Sequence, residues 1–544
     1  MKLHLVLYYY IRTLYYQWRF RQSPSQQRHA ASQSVDIRRQ SARRRLEAWQ
    51  ERQIIRHVHR VRQASSFYCK LWEGNASEDW RSFPIIDKQS MMEHFDELNT
   101  VGLSRDQAFK MASQAEQTRD FKPLLNGITV GLSSGTSGNR GLFIVSDREQ
   151  AAWSGTVLAK LLPGSLLQEE KIAFFLRANS NLYESVKRGR LQFEYFDLLE
   201  PLERLVQRME DYRPGIWIAP ASMLRLLAEA HVAGSLTARP RKLISVAEVL
   251  DPLDRHYIEE AFRQTVHQAY QCTEGFLGTT CEQGTIHLNE DLVHIEKEYL
   301  DPDTRRFVPI ITDFTRTSQP IVRYRLNDIL TEAAAPCSCG SVFTAIERIE
   351  GRCDDIIYLP HVERREPVAV FPDFVSRAMI TASPSIEHYR VVQTGPLQLE
   401  ISFLYADSSA TKGQGLQENE ELQNNEELQN VDHQKDVTPQ NSMELQNDMD
   451  PQNDGQVQKG RQSQDAVELQ SGVQLQHDVE LKSDVELQSS VLSQERALVQ
   501  NQITEQITAL CGKIGCVVPE LRFVTYEHNS GALKLRRVER RWRP

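Results

Sequence analysis

Residues Ile128 to Val145 read I-T-V-G-L-S-S-G-T-S-G-N-R-G-L-F-I-V, two apolar runs around a loop of glycines and hydroxyls. Glycine tolerates positive φ and close backbone approach, so Ser133, Ser134, Gly135, Thr136, Ser137, Gly138 and Gly141 can turn N–H groups and hydroxyls toward a polyanion. A Walker-type loop would close on Gly-Lys-Ser/Thr, whereas Gly141 is followed by Leu142 and Phe143. A hydrolase elbow, G-x-S-x-G, is spelled by Gly131, Ser133 and Gly135, but it needs a strand, a turn and then a helix. Here a second strand-like run follows. The loop by itself is either a phosphate cradle or a flexible hairpin turn, and the residues downstream have to decide.

The chain has 544 residues, enough for more than one domain. A formal charge of −9 carries no basic footprint, which argues against nucleic acid as a partner. Eight cysteines are too sparse for a secreted disulfide scaffold and point to a reduced, cytoplasmic setting. The opening L-H-L-V-L-Y-Y-Y-I-R, Leu3 to Arg12, is too short an apolar run to span a bilayer and lacks a small-residue cleavage site. It reads as a packed or peripheral helix, and no transmembrane segment is expected.

Residues 1–66 read as a helical region in which the basic run Arg43 to Arg45 is a solvated face. Asp87 is placed to cap the helix that follows Phe83-Pro84-Ile85-Ile86. Beyond the loop, Ile172–Leu176, Ile216–Ala219 and Lys242–Val246 read as strands. They alternate with helices at Leu198–Asp211, Ser222–Ala230 and Pro252–Phe262. That alternation predicts an α/β core with a mostly parallel sheet whose ligand sits beyond the carboxyl ends of the strands. From 408 to 493 the composition turns to Gln, Glu, Asn, Asp and Ser, with Leu469, Leu475, Leu481 and Leu487 six residues apart. Neither helical period fits that spacing, and the segment reads as a disordered insert. Strand-like His388–Gln393 and Leu397–Tyr405 precede it; a helix at Ala497–Leu510 and a strand at Leu521–Val524 follow, so the insert expands a loop of a small α+β domain.

Four further stretches carry chemistry. Tyr270-Gln271-Cys272-Thr273-Glu274-Gly275 follows a strand-like Val266–Ala269; beside a phosphate loop Glu274 would hold Mg²⁺ and Thr273 would bond a phosphate, though an acid there is ordinarily structural or solvated. Asp328 follows the arginine-rich Arg323-Tyr324-Arg325, where it either accepts both hydroxyls of a ribose or forms an Arg–Asp surface pair. Gly351-Arg352-Cys353-Asp354-Asp355 is a charged turn, and Gly531-Ala532-Leu533-Lys534 ends the chain with a lysine suited to neutralising a phosphate–carboxylate encounter or merely to solubility.

In this order, the loop and these stretches resemble the adenylate-forming superfamily, whose phosphate loop is similar to S-S-G-T-S-G-N-R-G from Ser133 to Gly141. The nearest likeness is to the phenylacetate–CoA ligase-like branch and its coenzyme-F synthetase-related group. It rests also on N-S-N-L-Y-E-S from Asn179, A-P-A-S-M-L-R-L-L-A from Ala219 and S-V-A-E-V-L from Ser245. The resemblance implies a large adenylation domain over 67–351 and a small mobile domain made of 352–407 and 494–544. It implies that Ser133–Gly138, Arg140 and Gly141 hold phosphates, and that Ser245, Ala247 and Glu248 line an adenine pocket. Thr273 and Glu274 would serve the α-phosphate and Mg²⁺, Tyr270, Asp328 and Arg352 the nucleotide, Asp354 the interdomain hinge, and Lys534 catalysis. The lysine-glycine that follows the hinge in the family is replaced around Tyr358–Pro360, and the terminal glycine and lysine are separated.

The implied activity is ATP-dependent activation of a small-molecule acid as acyl-AMP, with transfer to CoA or to the phosphopantetheine of an acyl carrier protein. Leu182, Tyr183, Phe276 and Leu277 are candidate acid-pocket residues. AMP transfer to a hydroxyl, a serine hydrolase built on Ser133, and a scaffold binding through the insert are the alternatives. Separately, Cys281, His287, Cys337 and Cys339 offer three thiolates and an imidazole, suited to a structural Zn²⁺ or else simply buried cysteines.

Overall fold

The loop at Ser133–Gly141 joins two strands, β1 (Thr129–Leu132) and β2 (Leu142–Val145), which pair antiparallel with Leu132 opposite Leu142. The computed structural model describes residues 3–21, 32–133, 140–176, 179, 190–301, 303–364, 366–405, 494–527 and 536–542. Ser134 to Gly138, Leu182, Tyr183, Lys534 and the insert 408–493 lie outside the described residues.

Helices α1 (Leu3–Arg19), α2 (Ser32–Ala64), α3 (Lys88–Glu93) and α4 (Arg105–Thr118) precede the hairpin, and α5 (Asp147–Leu161) follows it. Asp87 caps α3 as expected, its carboxylate accepting from Ser90 N at 2.9 Å. Along α2 the basic run divides: Arg44 and Arg45 are exposed, as a solvated face requires, while Arg43 is drawn to the core. Leu46, Ile54, Val58 and Val61 are buried along it. Arg43 donates two hydrogen bonds, 2.6 and 2.7 Å, to the carboxylate of buried Glu290. A carboxylate removed from water requires such a partner, so the arginine is held by the core.

The α/β class holds, with parallel pairing confined to half of the main sheet. The strands β3 (Glu170–Leu176), β4 (Leu191–Asp197), β5 (Ile216–Ala219), β6 (Lys242–Val246) and β7 (Val266–Cys272) run parallel in the order β4-β3-β5-β6-β7. The central β3, β5 and β6 are near-continuous apolar runs because both faces are covered. Phe175, Trp217 and Leu243 are buried against Leu205 and Met209 of α6 (Leu202–Tyr212), Leu224 and Leu227 of α7 (Ala221–Val232) and Ile258 of α8 (Pro252–Phe262).

Only Thr273 and Glu274 separate β7 from β8 (Gly275–Thr280). Two residues cannot make the crossover that a parallel neighbour needs, so the sheet reverses direction here. The rest of it is antiparallel: β9 (Ile286–Leu288), β10 (Val293–Asp301), β11 (Arg306–Asp313), β12 (Ile321–Arg325), β13 (Asp328–Glu332) and β14 (Ala345–Arg352). From β8 the order runs β9-β14-β13-β11-β10, with β12 also on β11.

Contacts divide the chain into two units, one of Met1–Arg377, Arg390–Ser402 and Ile514–Pro544, the other of Ala378–Tyr389 and Phe403–Lys513. After β14 come a hairpin, β15 (Ile357–Pro360) with β16 (Pro367–Val370), and a four-stranded sheet. Its strands are β17 (Ile386–Gly395), β18 (Gln398–Tyr405), β19 (Glu520–Val524) and β20 (Val538–Arg540), in the order β19-β18-β17-β20. The chain between β18 and β19, which pair in parallel, includes the insert and a helix over 494–514. Within the second unit that helix buries Val499, Ile503, Ile507 and Cys511 at i, i+4, i+8 and i+12. Among the described residues no helix is long and apolar enough to cross a membrane.

Candidate active site

The carboxyl ends of β3, β5, β6 and β7 open on a cavity of about 1440 Å³ in the first unit. This is larger than the pocket of a single small ligand. Its wall includes Ser133, Arg140, Ser245, Ala247, Glu248, Tyr270, Thr273, Glu274, Asp328, Arg352 and Asp354. Residues more than two hundred positions apart are thus gathered at the switch point, where open α/β sheets place their ligands.

At the hairpin, Ser133 N donates to Gly141 O at 2.7 Å and Gly141 N donates to Ser133 Oγ at 2.7 Å, closing the base of the loop. Arg140 Nε donates to Ser133 O at 3.2 Å, and its guanidinium pairs with Glu116. Lys88 at the start of α3 donates from Nζ to Ser133 Oγ at 3.3 Å. A side chain at position 141 would place Cβ 2.9 Å from Lys88 Cε, so glycine here lets the lysine reach the loop. Burial pulls Lys88 below the ordinary lysine range, with Glu274 the chief opposing charge. The context is strand–loop–strand, not the strand–turn–helix of a nucleophile elbow, and no histidine lines the cavity among the described residues.

Across the sheet, Thr273 Oγ1 donates to Glu274 Oε2 at 2.8 Å and Tyr324 OH donates to Oε1 at 3.0 Å. Arg316 donates to Thr273 O at 3.0 Å. Tyr270 OH donates to Asp328 Oδ2 at 2.6 Å, and Arg352 Nε lies 3.9 Å from Asp328 Oδ1, because Asp328 and Arg352 face each other across β13 and β14. Burial, then Asp328, raises the Tyr270 phenol well above its usual range, so it stays a donor. The arginines Arg323 and Arg325, by contrast, pair with Glu296 and Glu298, leaving Asp328 to Tyr270 and Arg352. Asn327 Nδ2 holds Asp354 Oδ2 at 2.6 Å, and the neighbouring Asp355 is pushed by burial up to about 6.

The turn after β6 is strained. Ala247 has φ +66° although it is not glycine, and Glu248 N donates two residues back to Val246 O at 2.8 Å. The turn aims Ser245 and Ala247 at the cavity, while Glu248 accepts from Ser222 N at 3.0 Å. The Ser245 hydroxyl is buried without a hydrogen-bond partner among the described residues, an acceptor and donor ready for a ligand.

The acid-pocket reading is half corrected. Phe276 lines the cavity, but Leu277, the next residue of β8, points to the opposite face and is buried with Leu288 and Trp72. Alternation along a strand separates such neighbours. A narrow apolar cavity of about 120 Å³ continues the large one beneath α5; Trp153, Leu176, Ala247 and Phe276 line both, and Val157, Phe174 and Ile218 line its depth. Its walls come from helix and strand faces that pattern alone assigns to the core. Lys88, Arg316 and Tyr324 were likewise not singled out from sequence, since no local motif marks them.

The four metal-type residues also meet, elsewhere. The ligand atoms of Cys281, His287, Cys337 and Cys339 all lie within 4.8 Å of one another. His287 Nδ1 stands 3.1 Å from the Phe343 carbonyl, which places the proton there and leaves Nε2, 3.3 Å from Cys339 Sγ, turned to the thiols. Backbone N–H groups of Gln283, Cys339 and Ser341 donate to the sulfurs of Cys281, Cys337 and Cys339 at 3.4–3.5 Å. Three soft ligands, one imidazole and an oriented outer shell fit Zn²⁺. The cluster sits at the far end of β8 from Glu274, roughly 20 Å away at about 3.3 Å per residue. That distance keeps it from the chemistry of the cavity.

No family model matches the sequence. Over 205 residues it is 24% identical to phenylacetate-coenzyme A ligase of Thermus thermophilus, covering 35% of this chain and 44% of that protein, so the match spans less than half of the relative's length. A solved structure of 2-hydroxyisobutyryl-CoA ligase in its postadenylation state, in complex with 2-HIB-AMP, superposes with a TM-score of 0.57 at 15% identity. That match covers 90% of this chain and 89% of the other. The same ligase with R3-HIB-AMP gives 0.55 at 14% identity over 90% and 89%. In its fold the chain is similar to these CoA ligase structures.

Proposed function

We propose that this chain activates a carboxylic acid with ATP, forming acyl-AMP and releasing pyrophosphate. The observation that carries this reading is the gathering of Ser133 and Arg140 at the two ends of the hydroxyl loop, Thr273–Glu274 and the Tyr270–Asp328–Arg352 set around one cavity. A carboxylate oxygen attacks the α-phosphorus of ATP and the bond to the β-phosphate oxygen breaks. No enzyme nucleophile is needed, so the protein's part is positioning and charge neutralisation. Ser133, Arg140, Gly141 and Lys88 face the β- and γ-phosphates in this reading, with Ser134 to Gly138 completing the loop. Asp328 accepts from the ribose hydroxyls, Arg352 steadies the nucleotide, and the Ser245–Glu248 turn borders the adenine. Glu274 is the residue that would hold Mg²⁺, which offsets phosphate charge when bound. Lys534 supports the first step, and Asp354 is the hinge of a small domain of 352–407 and 494–544.

The apolar cavity beneath α5 favours an acid with a hydrocarbon or aryl body over a charged one. We further propose transfer of the acyl group to CoA or a carrier-protein arm, a cytoplasmic setting consistent with eight free thiols, and a structural Zn²⁺ at the Cys/His cluster. The second reading, AMP transfer to a hydroxyl, uses the same nucleotide site.

The test is ATP–pyrophosphate exchange against aryl, fatty and amino acids, with Glu274→Gln and Lys534→Ala alongside. Exchange with apolar acids that both variants abolish is the expected result. Silence with every acid in protein that still binds ATP moves the assignment to a hydroxyl acceptor, and no ATP binding removes the enzyme reading altogether.

A further inference from the structure

The helix α1 is pinned along one side and bare along the other. On its inner side Val6 and Thr13 are buried, and Thr13 Oγ1 lies 3.2 Å from Thr156 Oγ1 of α5. The two backbones meet at Gly155, where a Cβ would stand 2.4 Å from Val6 O and 2.8 Å from Tyr10 N. A helix seated this closely cannot roll to hide its outer side. That outer side is apolar: Leu3, Leu7, Ile11, Leu14 and Trp18 are 40–74% exposed and fall at i, i+4, i+8, i+11 and i+15, with Tyr8 and Tyr15 beside them. Single exposed apolar residues are ordinary, but a continuous stripe on one helix face marks an interaction surface.

Charge decides the occupant. The first acidic residue of the chain is Asp36; before it stand Lys2, Arg12, Arg19, Arg21 and Arg28, in a protein whose formal net charge is −9. Arg19 lies at the end of the stripe with its guanidinium over the Tyr15 ring at 5.9 Å. A second copy of this chain would bring like charges together with no local acid to pair them. An aliphatic stripe with Trp18 and Tyr15 toward one end, the exposed Arg19 beside them and no acid along the helix is the pattern of a helix lying in the interface of an anionic bilayer. At about 1.5 Å per residue its 17 residues are also too short to cross one.

We propose that α1 docks this chain onto a membrane surface rich in anionic lipid, its outer stripe set among the headgroups and Arg19 toward lipid phosphates. The proposal does not depend on the reaction assigned above. The full chain would be sedimented with vesicles of phosphatidylcholine alone and of phosphatidylcholine with phosphatidylserine. Roughly tenfold or more tighter binding to the anionic vesicles is expected, weakening as ionic strength rises from about 0.1 M to about 1 M. The surface variant Ile11→Ser/Trp18→Ser should lose binding to both compositions while pyrophosphate exchange and thermal stability stay as in the parent. Arg19→Gln should weaken only the preference for anionic lipid. Equal binding to neutral and anionic vesicles, binding that survives the serine variant, or a dimer in lipid-free solution that the serine variant dissolves would each overturn the proposal.

Discussion

At the scale of single residues, Lys88 has the clearest consequence. It places a cation against the hydroxyl that closes the loop base, and its burial keeps it from being well hydrated. Lys88→Ala should raise the KM for ATP in pyrophosphate exchange by roughly tenfold or more, the loss of one charge-assisted contact. Lys88→Arg should recover part of that loss, and equal ATP dependence in all three proteins would remove the lysine from the site. Asp355 offers a pH signature. Burial raises its carboxyl from 3.8 to about 6, so the fold favours the protonated form. The stability it contributes is complete below 3.8 and is lost as pH rises through about 6, a change of about 3 kcal/mol. The melting temperature of the parent relative to Asp355→Asn should therefore fall between pH 4 and pH 7, and a constant difference would contradict the assignment.

At the scale of elements, the reversal between β7 and β8 and the cap of α5 both serve the site. Glu149 at the third position of α5 accepts from Ser146 N at 2.9 Å and from Ser318 N at 2.8 Å and Oγ at 2.6 Å. One carboxylate thus caps the helix and ties it to the segment before β12. Burial alone would raise its pKa, but Arg316 and these donors outweigh it and hold the group below the carboxylate range. Its stability contribution is present above about 4.5 and is lost as pH falls further. Glu149→Gln should cost about 2–4 kcal/mol at neutral pH, measured by denaturant unfolding. The cluster at the end of β8 yields a separate test. Purified protein should contain one zinc per chain by elemental analysis, and Cys281→Ser/Cys337→Ser should lose it together with several degrees of melting temperature. Adenylation should remain measurable in folded variant, because the cluster lies roughly 20 Å from Glu274.

At the scale of the whole molecule, the insert 408–493 enters between β18 and β19, in a connection that already carries a helix. Lengthening such a connection costs little, since loop-closure entropy grows only with the logarithm of length. Replacing 408–493 by a short Gly/Ser linker should leave pyrophosphate exchange within about twofold of the parent. Loss of exchange in a linker variant that keeps its melting temperature would assign the insert a part in the reaction and support a scaffold reading. The match of about 90% of the chain to a ligase structure at 15% identity concerns the architecture, whereas the identity of the acid lies in side chains that such a likeness does not carry.

What the chain itself determined is local. Apolar strands alternating with helices specify an α/β core, the glycine–hydroxyl run specifies a loop between strands, and Asp87 specifies a helix start, because these depend on residues a few positions apart. The order Ser133–Gly141, Thr273–Glu274, Asp328, Arg352 was also legible, since each sits in a short phrase with its own chemistry. Other features were decided only by tertiary structure. Arg43 reads as solvated until Glu290 is buried beneath it, Lys88 is an ordinary helix residue until α3 lies against the hairpin, and which of Phe276 and Leu277 meets the cavity depends on the face of β8 against which the cavity forms. The apolar cavity beneath α5 and the bare stripe of α1 depend on how closely α5 approaches the sheet and α1 approaches α5. Packing distance of that kind is a property of the assembled core, and periodicity along one segment does not encode it.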